Sequence, residues 1–152
     1  MAVTASGLYG LTLQKMMNAT ALPTSGLDSE TAIKVLLVTD SEAPNFDTHD
    51  FRNDITAEVP ATGNYTTGGN VITSTALTLS AGVLTYDAAD TSWSTSTIAN
   101  AMAAVGYFGR GGASSADELV FLSDFVTAAS SSSGTFTVQW NAAGIFTVDY
   151  TP

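Results

Sequence analysis

Strict alternation of apolar and polar residues near the C-terminus constrains this chain more than any other feature. Two segments, 135–140 and 145–150, place every second side chain on the same face of an extended backbone. The apolar positions are Phe136, Val138 and Trp140 in the first segment and Phe146, Val148 and Tyr150 in the second. We predict that these side chains face a core and that residues 141–144 connect the two strands as a tight hairpin.

Other short apolar runs are bounded by turn residues, as is typical of β proteins. The predicted strands are 32–39, 71–80, 83–86 and 117–126, with a hairpin turn at Ala81 and Gly82. The alanine-rich segment 97–108 leaves helix and strand open, and its last residues favour a strand. Ser and Thr account for 39 residues, which is typical of sheets with uncharged polar faces. We therefore predict a mainly β fold, an antiparallel β-sandwich or barrel of about six or seven strands.

A short N-terminal helix or an extended arm precedes the predicted sheets. Apolar residues recur with the spacing of one helix face at Tyr9, Leu13, Met16 and Met17. Ser6 has the residue type of an N-cap, whereas two nearby glycines favour an extended arm instead. We predict an N-terminal arm or helix and loop over residues 1–30 and a single β domain over residues 31–152.

The charge balance excludes several classes of partner. The chain has 14 acidic and 4 basic residues and a net charge of −10 at pH 7. So few cations cannot neutralise a phosphate backbone, and we expect no direct contact with nucleic acid. No apolar run approaches the roughly 20 residues of a membrane span, so we expect no membrane partner. The N-terminus lacks the pattern of a signal peptide, which predicts synthesis in the cytoplasm without export.

The acidic segment around the single histidine is the one candidate metal site. Its possible ligands are Asp47, His49 and Asp50, since carboxylates suit divalent cations. The order of acids and glycine that a helix–loop–helix calcium site needs is missing. We favour the alternative, a solvated acidic loop in which aspartates cap turns and a short helix over residues 47–55. We expect no cofactor and no bound metal.

Catalysis finds little support in the sequence. No Gly-x-Ser-x-Gly segment supplies a serine nucleophile, and a glycan hydrolase would have to use His49 with Asp47 or Asp50. We therefore expect a protein that is not an enzyme.

Two residues are candidates for contacts with another molecule. Trp93, in a polar stretch, is a candidate interface anchor. Arg110, in a glycine-rich loop, is a candidate partner for an acid on a neighbouring subunit.

Several segments, in a fixed order, resemble a group of small proteins common in tailed-phage genomes. The matching segments are 33–39, 44–51, 54–59, 62–69, 90–93 and 134–145. The resemblance runs from about residue 31 to the end of the chain, and it carries over no catalytic residue. It implies a phage virion protein, a capsid decoration or cement protein that binds the major capsid protein. A tail, baseplate or host-adhesion component is the alternative.

A decoration protein would need a contact with the shell, and the N-terminal segment is the expected clamp. Leu8, Leu11, Met16 and Met17 offer adaptable apolar side chains for this contact. Many symmetric copies would strengthen a weak contact through avidity. The resemblance further implies a homo-oligomer, a trimer or a dimer, located on the capsid exterior after synthesis in the host cytoplasm.

Overall fold

The computed structural model describes residues 2–18, 26–29 and 32–150, and in these ranges the chain is mainly β. The elements follow in the order β1 (Gly7–Leu8), α1 (Gly10–Met17), β2 (Ile33–Thr39), β3 (Asn70–Val71), β4 (Ala76–Ser80), β5 (Val83–Asp87), β6 (Thr91–Ser96), β7 (Ala101–Phe108), β8 (Leu119–Ala129), β9 (Gly134–Val138) and β10 (Phe146–Asp149). Two short 3₁₀ turns, Arg52–Asp54 and Ser114–Ala116, lie between strands.

The strands form three antiparallel sheets. Their strand orders are β1-β8-β7-β2-β3, β10-β5-β4 and β6-β9. Within the described ranges the sheets stay open and no barrel closes. The prediction of a mainly β, antiparallel, sandwich-like fold with a short N-terminal helix is therefore confirmed, whereas the barrel alternative is wrong and the described residues form ten strands rather than six or seven.

The five-stranded sheet is buried on both faces, and β2 shows why. Ile33, Val35 and Leu37 lie in one apolar cluster, while Leu36 and Val38 lie in a second cluster on the other face. The continuous apolar run that predicted a buried strand is thus shared between two core layers. The N-terminal segment takes part in this packing, because the side chains of Val3 and Tyr9 belong to the second cluster.

The alanine-rich segment is the central strand β7, which settles the choice left open by the sequence. Small side chains fit there because the ring of Phe121, from the neighbouring strand β8, lies against the backbone of β7 at Gly106. Gly106 pairs with Phe121 of β8, and a Cβ on Gly106 would overlap the Phe121 ring. Hydrogen bonding to β2 and β8 on both sides then outweighs the helix propensity of alanine.

The predicted C-terminal hairpin is wrong. Its two strands exist, but β9 pairs with β6 and β10 pairs with β5, so they belong to different sheets. A turn does close at residues 141–144, where the N–H of Gly144 donates to the carbonyl of Asn141 over 2.8 Å. Alternation therefore predicted the strands but not their partners. Tyr150, predicted to face the core, is 61% exposed.

Three local predictions need smaller corrections. Helix α1 begins at Gly10 rather than after Ser6, whose hydroxyl instead accepts a hydrogen bond from the N–H of Asp124. The short helix expected over residues 47–55 reduces to the 3₁₀ turn Arg52–Asp54. The strand expected over residues 71–80 is split into β3 and β4 around the buried Ile72.

The hairpin between β4 and β5 is confirmed. Ser80 pairs with Val83 across a two-residue turn, Ala81 and Gly82, in which both residues have positive φ angles of 48° and 82°. Two positive φ angles are the signature of the turn that matches the twist of adjacent strands.

Candidate interaction surface

The apolar residues predicted to form an N-terminal clamp fall into two groups. Met17 is 82% exposed, and Leu13 on the same helix is 39% exposed. Leu8 and Met16 instead pack against the main core cluster, and Leu11 is half-buried. The structure thus assigns Leu8 and Met16 to the stability of this chain, and it leaves Met17 and Leu13 as the apolar side chains that α1 offers to a partner.

An apolar groove lies beside these exposed side chains, between α1 and the sheet of β5 and β10. It encloses a cavity of about 70 Å³. Its walls are almost entirely apolar. One wall consists of Leu8, Tyr9, Thr12, Leu13, Met16, Leu27 and Val120 of β8, and the other consists of Leu84, Phe146 and Val148. A cavity of this size and character suits an apolar side chain rather than a polar ligand.

The β4–β5 hairpin extends the apolar wall of the groove beyond the core. Leu77 pairs with Tyr86, and Leu79 pairs with Leu84, so the two leucines share a sheet face with groove residues. All five residues of β4 are exposed. Leu79 is 65% exposed and Leu77 is 39% exposed. The hairpin therefore carries apolar side chains into solvent on a strand that, among the residues the structure describes, has the single neighbour β5.

Charge is absent from this part of the chain. Between Glu58 and Asp87 the sequence contains no Asp, Glu, Lys or Arg. In a protein with a net charge of −10, β4 is thus a strand that another molecule can approach with little electrostatic repulsion.

Polar side chains gather at a second place, a cleft with a cavity of about 290 Å³ beside the glycine-rich loop. Its walls include Lys34, Arg52, Gly68, Tyr107, Gly111, Gly112 and Asp117. Arg52 Nε lies 3.0 Å from Asp117 Oδ2, and the Arg52 guanidinium stacks over the Tyr107 ring at 5.4 Å. The Tyr107 hydroxyl donates to the carbonyl of Gly68 over 2.6 Å.

Glu58 lies next to this polar cleft and anchors the loop that borders it. Its Oε1 accepts hydrogen bonds from the Gly68 N–H at 2.6 Å and from the Tyr65 hydroxyl at 3.0 Å. Burial raises the pKa of Glu58, although these two hydrogen bonds oppose the shift. The contacts among Glu58, Tyr65, Tyr107 and Arg52 hold loop and sheet together, which is a structural role.

Trp93 and Arg110, the two predicted interface residues outside the N-terminal segment, are engaged within the chain. Trp93 lies in β6, is 1% exposed, and packs on Tyr65 and Phe136 with ring centroids 5.4 and 6.3 Å away. It is a core residue, so its prediction as an interface anchor is corrected. Arg110 Nη2 lies 2.5 Å from Glu118 Oε1, and this contact raises the pKa of Arg110. Arg110 therefore pairs with an acid of its own chain.

The candidate metal ligands have separate environments. Asp47 is exposed, and Asp50 accepts hydrogen bonds from Lys15 Nζ at 2.5 and 2.7 Å. This ion pair ties α1 to the acidic segment. His49 lies near Asp54, whose pKa is lowered mainly by hydrogen bonds from the N–H groups of Phe51 and Asp50. Among the residues that the structure describes, no three His, Asp or Glu side chains converge to hold a metal ion.

Sequence reasoning missed the exposed β4 strand. The apolar run over residues 71–80 predicted a strand, but it did not show that Leu77 and Leu79 would be exposed. The feature of the sequence that could have indicated this surface is the long segment without charged residues between Glu58 and Asp87, because a hairpin that faces only water usually carries charge.

No family model, curated protein or solved structure matches this chain. In the described part of the chain, no helix is long and apolar enough to cross a membrane.

Proposed function

We propose that this chain is a structural protein of a tailed-phage virion, without enzymatic activity, that decorates the capsid exterior. In this role it binds the assembled major capsid protein and stabilises the shell. The sequence resemblance from about residue 31 to the end points to the virion. The structural observation that carries the proposal is the apolar groove with Leu13 and Met17 exposed at its side.

The exposed residues of α1 suit a contact with the shell whose affinity is low for a single attachment point and high when several points attach together. Burying the largely exposed Met17 side chain contributes about 1.5–3 kcal/mol, and Leu13, which is only 39% exposed, contributes less. A partner side chain inserted into the adjacent cavity would add a comparable amount. Such a contact is modest by itself, but a protein attached at several symmetric points gains affinity through effective concentration.

The net charge supports a position on the outer surface of a shell. A charge of −10 repels the phosphate backbone, so the protein gains nothing from contact with packaged nucleic acid. Serine and threonine on the solvent faces of the strands provide polarity without adding to that charge.

Copy number tests the proposal. Quantitative mass spectrometry of purified virions would give the ratio of this chain to the major capsid protein. A ratio of one, or a simple fraction, supports decoration of the shell. A count of a few to a few tens per particle would contradict it and would favour the alternative, a tail, baseplate or host-adhesion component.

A binding experiment tests directly whether the exposed side chains of Leu13 and Met17 contact the shell. Purified protein is mixed with assembled shells that lack it, and the bound fraction is measured after sedimentation. We expect Met17→Asp and Leu13→Asp to weaken binding at least tenfold. Val126→Asp is the matched control, because Val126 is 79% exposed but lies in β8 rather than on α1. Equal binding by all variants would show that α1 does not face the shell.

A further inference from the structure

We infer that two copies of this chain pair through the open edge of β4, antiparallel, about a two-fold axis at Thr78. The pairing joins the β10-β5-β4 sheets of the two copies into one continuous sheet. This inference goes beyond the proposed function and does not depend on it, because the edge would pair in solution as well as on a shell.

The first argument is the state of the edge. Among the described residues, β4 pairs with β5 on one side and with no strand on the other. Its outward N–H and C=O groups can be satisfied together only by water or by another strand. Natural proteins protect such edges with lysine, proline or a bulge. The β4 sequence Ala-Leu-Thr-Leu-Ser contains none of these, and its pairing with β5 shows no register shift.

The second argument is that β4 is complementary to itself. The centre of the strand, Leu77, Thr78 and Leu79, reads the same in both directions. In an antiparallel pair centred on Thr78, each Thr78 lies opposite its copy, and each Leu77 lies opposite Leu79 of the other chain. Opposed threonines and opposed apolar side chains are both stabilising cross-strand pairs. The four leucines then form one apolar cluster on a single face.

The third argument is electrostatic: β4 is a place where a second copy of the same charge can approach. Two chains with a net charge of −10 repel over most of their surfaces. β4 itself contains no charged residue, and Asp87, which lies opposite Ala76 in β5, is on the side away from the open edge, so a second copy can approach this edge without facing an acid directly. A strand of a different protein would have no reason to mirror this sequence, whereas a second copy does so by symmetry.

The size of the contact sets the expected affinity. A five-residue strand pair buries much less than the roughly 1,200 Å² of a stable independent interface. We therefore expect a monomer–dimer equilibrium with a dissociation constant of about 10–1000 μM rather than an obligate dimer.

Analytical ultracentrifugation of the full chain over this concentration range measures the equilibrium. We expect the wild type to dimerise and Leu79→Lys to raise the dissociation constant at least tenfold, because it places a charge in the leucine cluster. Val126→Lys is the matched control, because Val126 is an apolar residue outside β4 that is even more exposed than Leu79, 79% against 65%. A wild type that stays monomeric throughout, or equal weakening by both variants, would overturn the inference.

Cysteine cross-linking tests the geometry, since the natural chain contains no cysteine. Opposed residues in an antiparallel pair have Cα atoms about 4.5–5.5 Å apart, which suits a disulfide. We expect Thr78→Cys to form a disulfide-linked dimer under mild oxidation. Thr137→Cys, on an exposed position of β9, should remain mostly monomeric. Equal cross-linking of the two variants would contradict pairing at Thr78.

The two proposals fail separately. A low copy number in virions would remove the decoration role and leave the dimer in solution intact. A monomeric chain that still binds shells through α1 would remove the β4 contact and leave decoration intact.

Discussion

The hydroxyl of Tyr65 accepts a hydrogen bond of 2.9 Å from the backbone N–H of Leu37, at a point where β3 no longer flanks β2. The same hydroxyl donates to Glu58 over 3.0 Å. A side chain from a loop thus takes the place of a neighbouring strand and satisfies a buried backbone donor. This contact connects the central sheet to the loop beside the polar cleft.

Tyr65→Phe should destabilise the fold by about 1–3 kcal/mol, since it leaves the Leu37 N–H buried without a partner. Urea unfolding followed by circular dichroism measures the change in the free energy of unfolding. Tyr150→Phe is the control, because Tyr150 is 61% exposed, and it should change stability by less than about 0.5 kcal/mol. Equal effects of the two substitutions would mean that the Tyr65 hydroxyl contributes nothing to stability.

The two tryptophans should differ in their contribution to stability. Trp93 is 1% exposed, and Trp93→Ala should cost about 3–5 kcal/mol. Trp140 is half-buried and meets the Phe121 ring edge-on at 5.9 Å, so Trp140→Ala should cost less than about 3 kcal/mol. Chemical unfolding of both variants gives the comparison. A larger loss for Trp140→Ala would reverse the assignment of Trp93 to the core.

Substitution by alanine should destabilise the chain at one glycine and have almost no effect at another. Gly69 has a φ angle of 64°, and a Cβ there would overlap the carbonyl of Val35. Gly69→Ala should therefore destabilise the chain by more than about 1 kcal/mol. Gly112 has nothing within 4 Å of its Cβ position, so Gly112→Ala should stay within about 0.5 kcal/mol of the wild type. Thermal denaturation distinguishes the two, and a tolerated Gly69→Ala would contradict the close approach of this loop to β2.

Alkaline titration should reveal the buried tyrosines. Burial raises the pKa values of Tyr9, Tyr65, Tyr86 and Tyr107 above the ordinary 10, in the case of Tyr107 to about 12. Because these pKa values are higher in the folded chain than in the unfolded chain, ionisation of the tyrosines does not lower the free energy of unfolding below pH 10. The free energy of unfolding falls as the pH rises from 10 through the folded-state pKa values. Phenolate absorbance near 295 nm should therefore increase together with the loss of circular dichroism. Titration of these four tyrosines with a midpoint near pH 10 in a folded chain would contradict their burial.

The parts of the fold that depend on local sequence could be predicted. The apolar run of β2 and the Ala81-Gly82 turn between β4 and β5 each contain their own signal. The partners of β9 and β10 could not be predicted, because alternation defines which face is buried and says nothing about which distant strand pairs with it.

The candidate surface was predicted less well than the fold. Trp93 stands between Ser92 and Ser94, and this polar context suggested a connection, whereas the alternation itself is that of a strand with one buried face. Met17, one of the four predicted clamp residues, is 82% exposed at the end of α1, so its part in a contact stays a prediction. The exposure of Leu79 was missed because it depends on β4 lying at the edge of its sheet, and strand order is a property of the tertiary structure.

The open space around Gly111 and Gly112 makes this loop a suitable site for displaying foreign peptides. Apart from their own chain neighbours, no atom of the described residues lies within 4 Å of a Cβ built at either position, and both glycines are exposed. Lengthening a surface loop costs little, about 0.6 kcal/mol for each doubling of its length. An epitope inserted between these glycines would leave the groove beside α1 and the edge of β4 unaltered. On a shell with many attached copies, it would become a dense, repetitive antigen array.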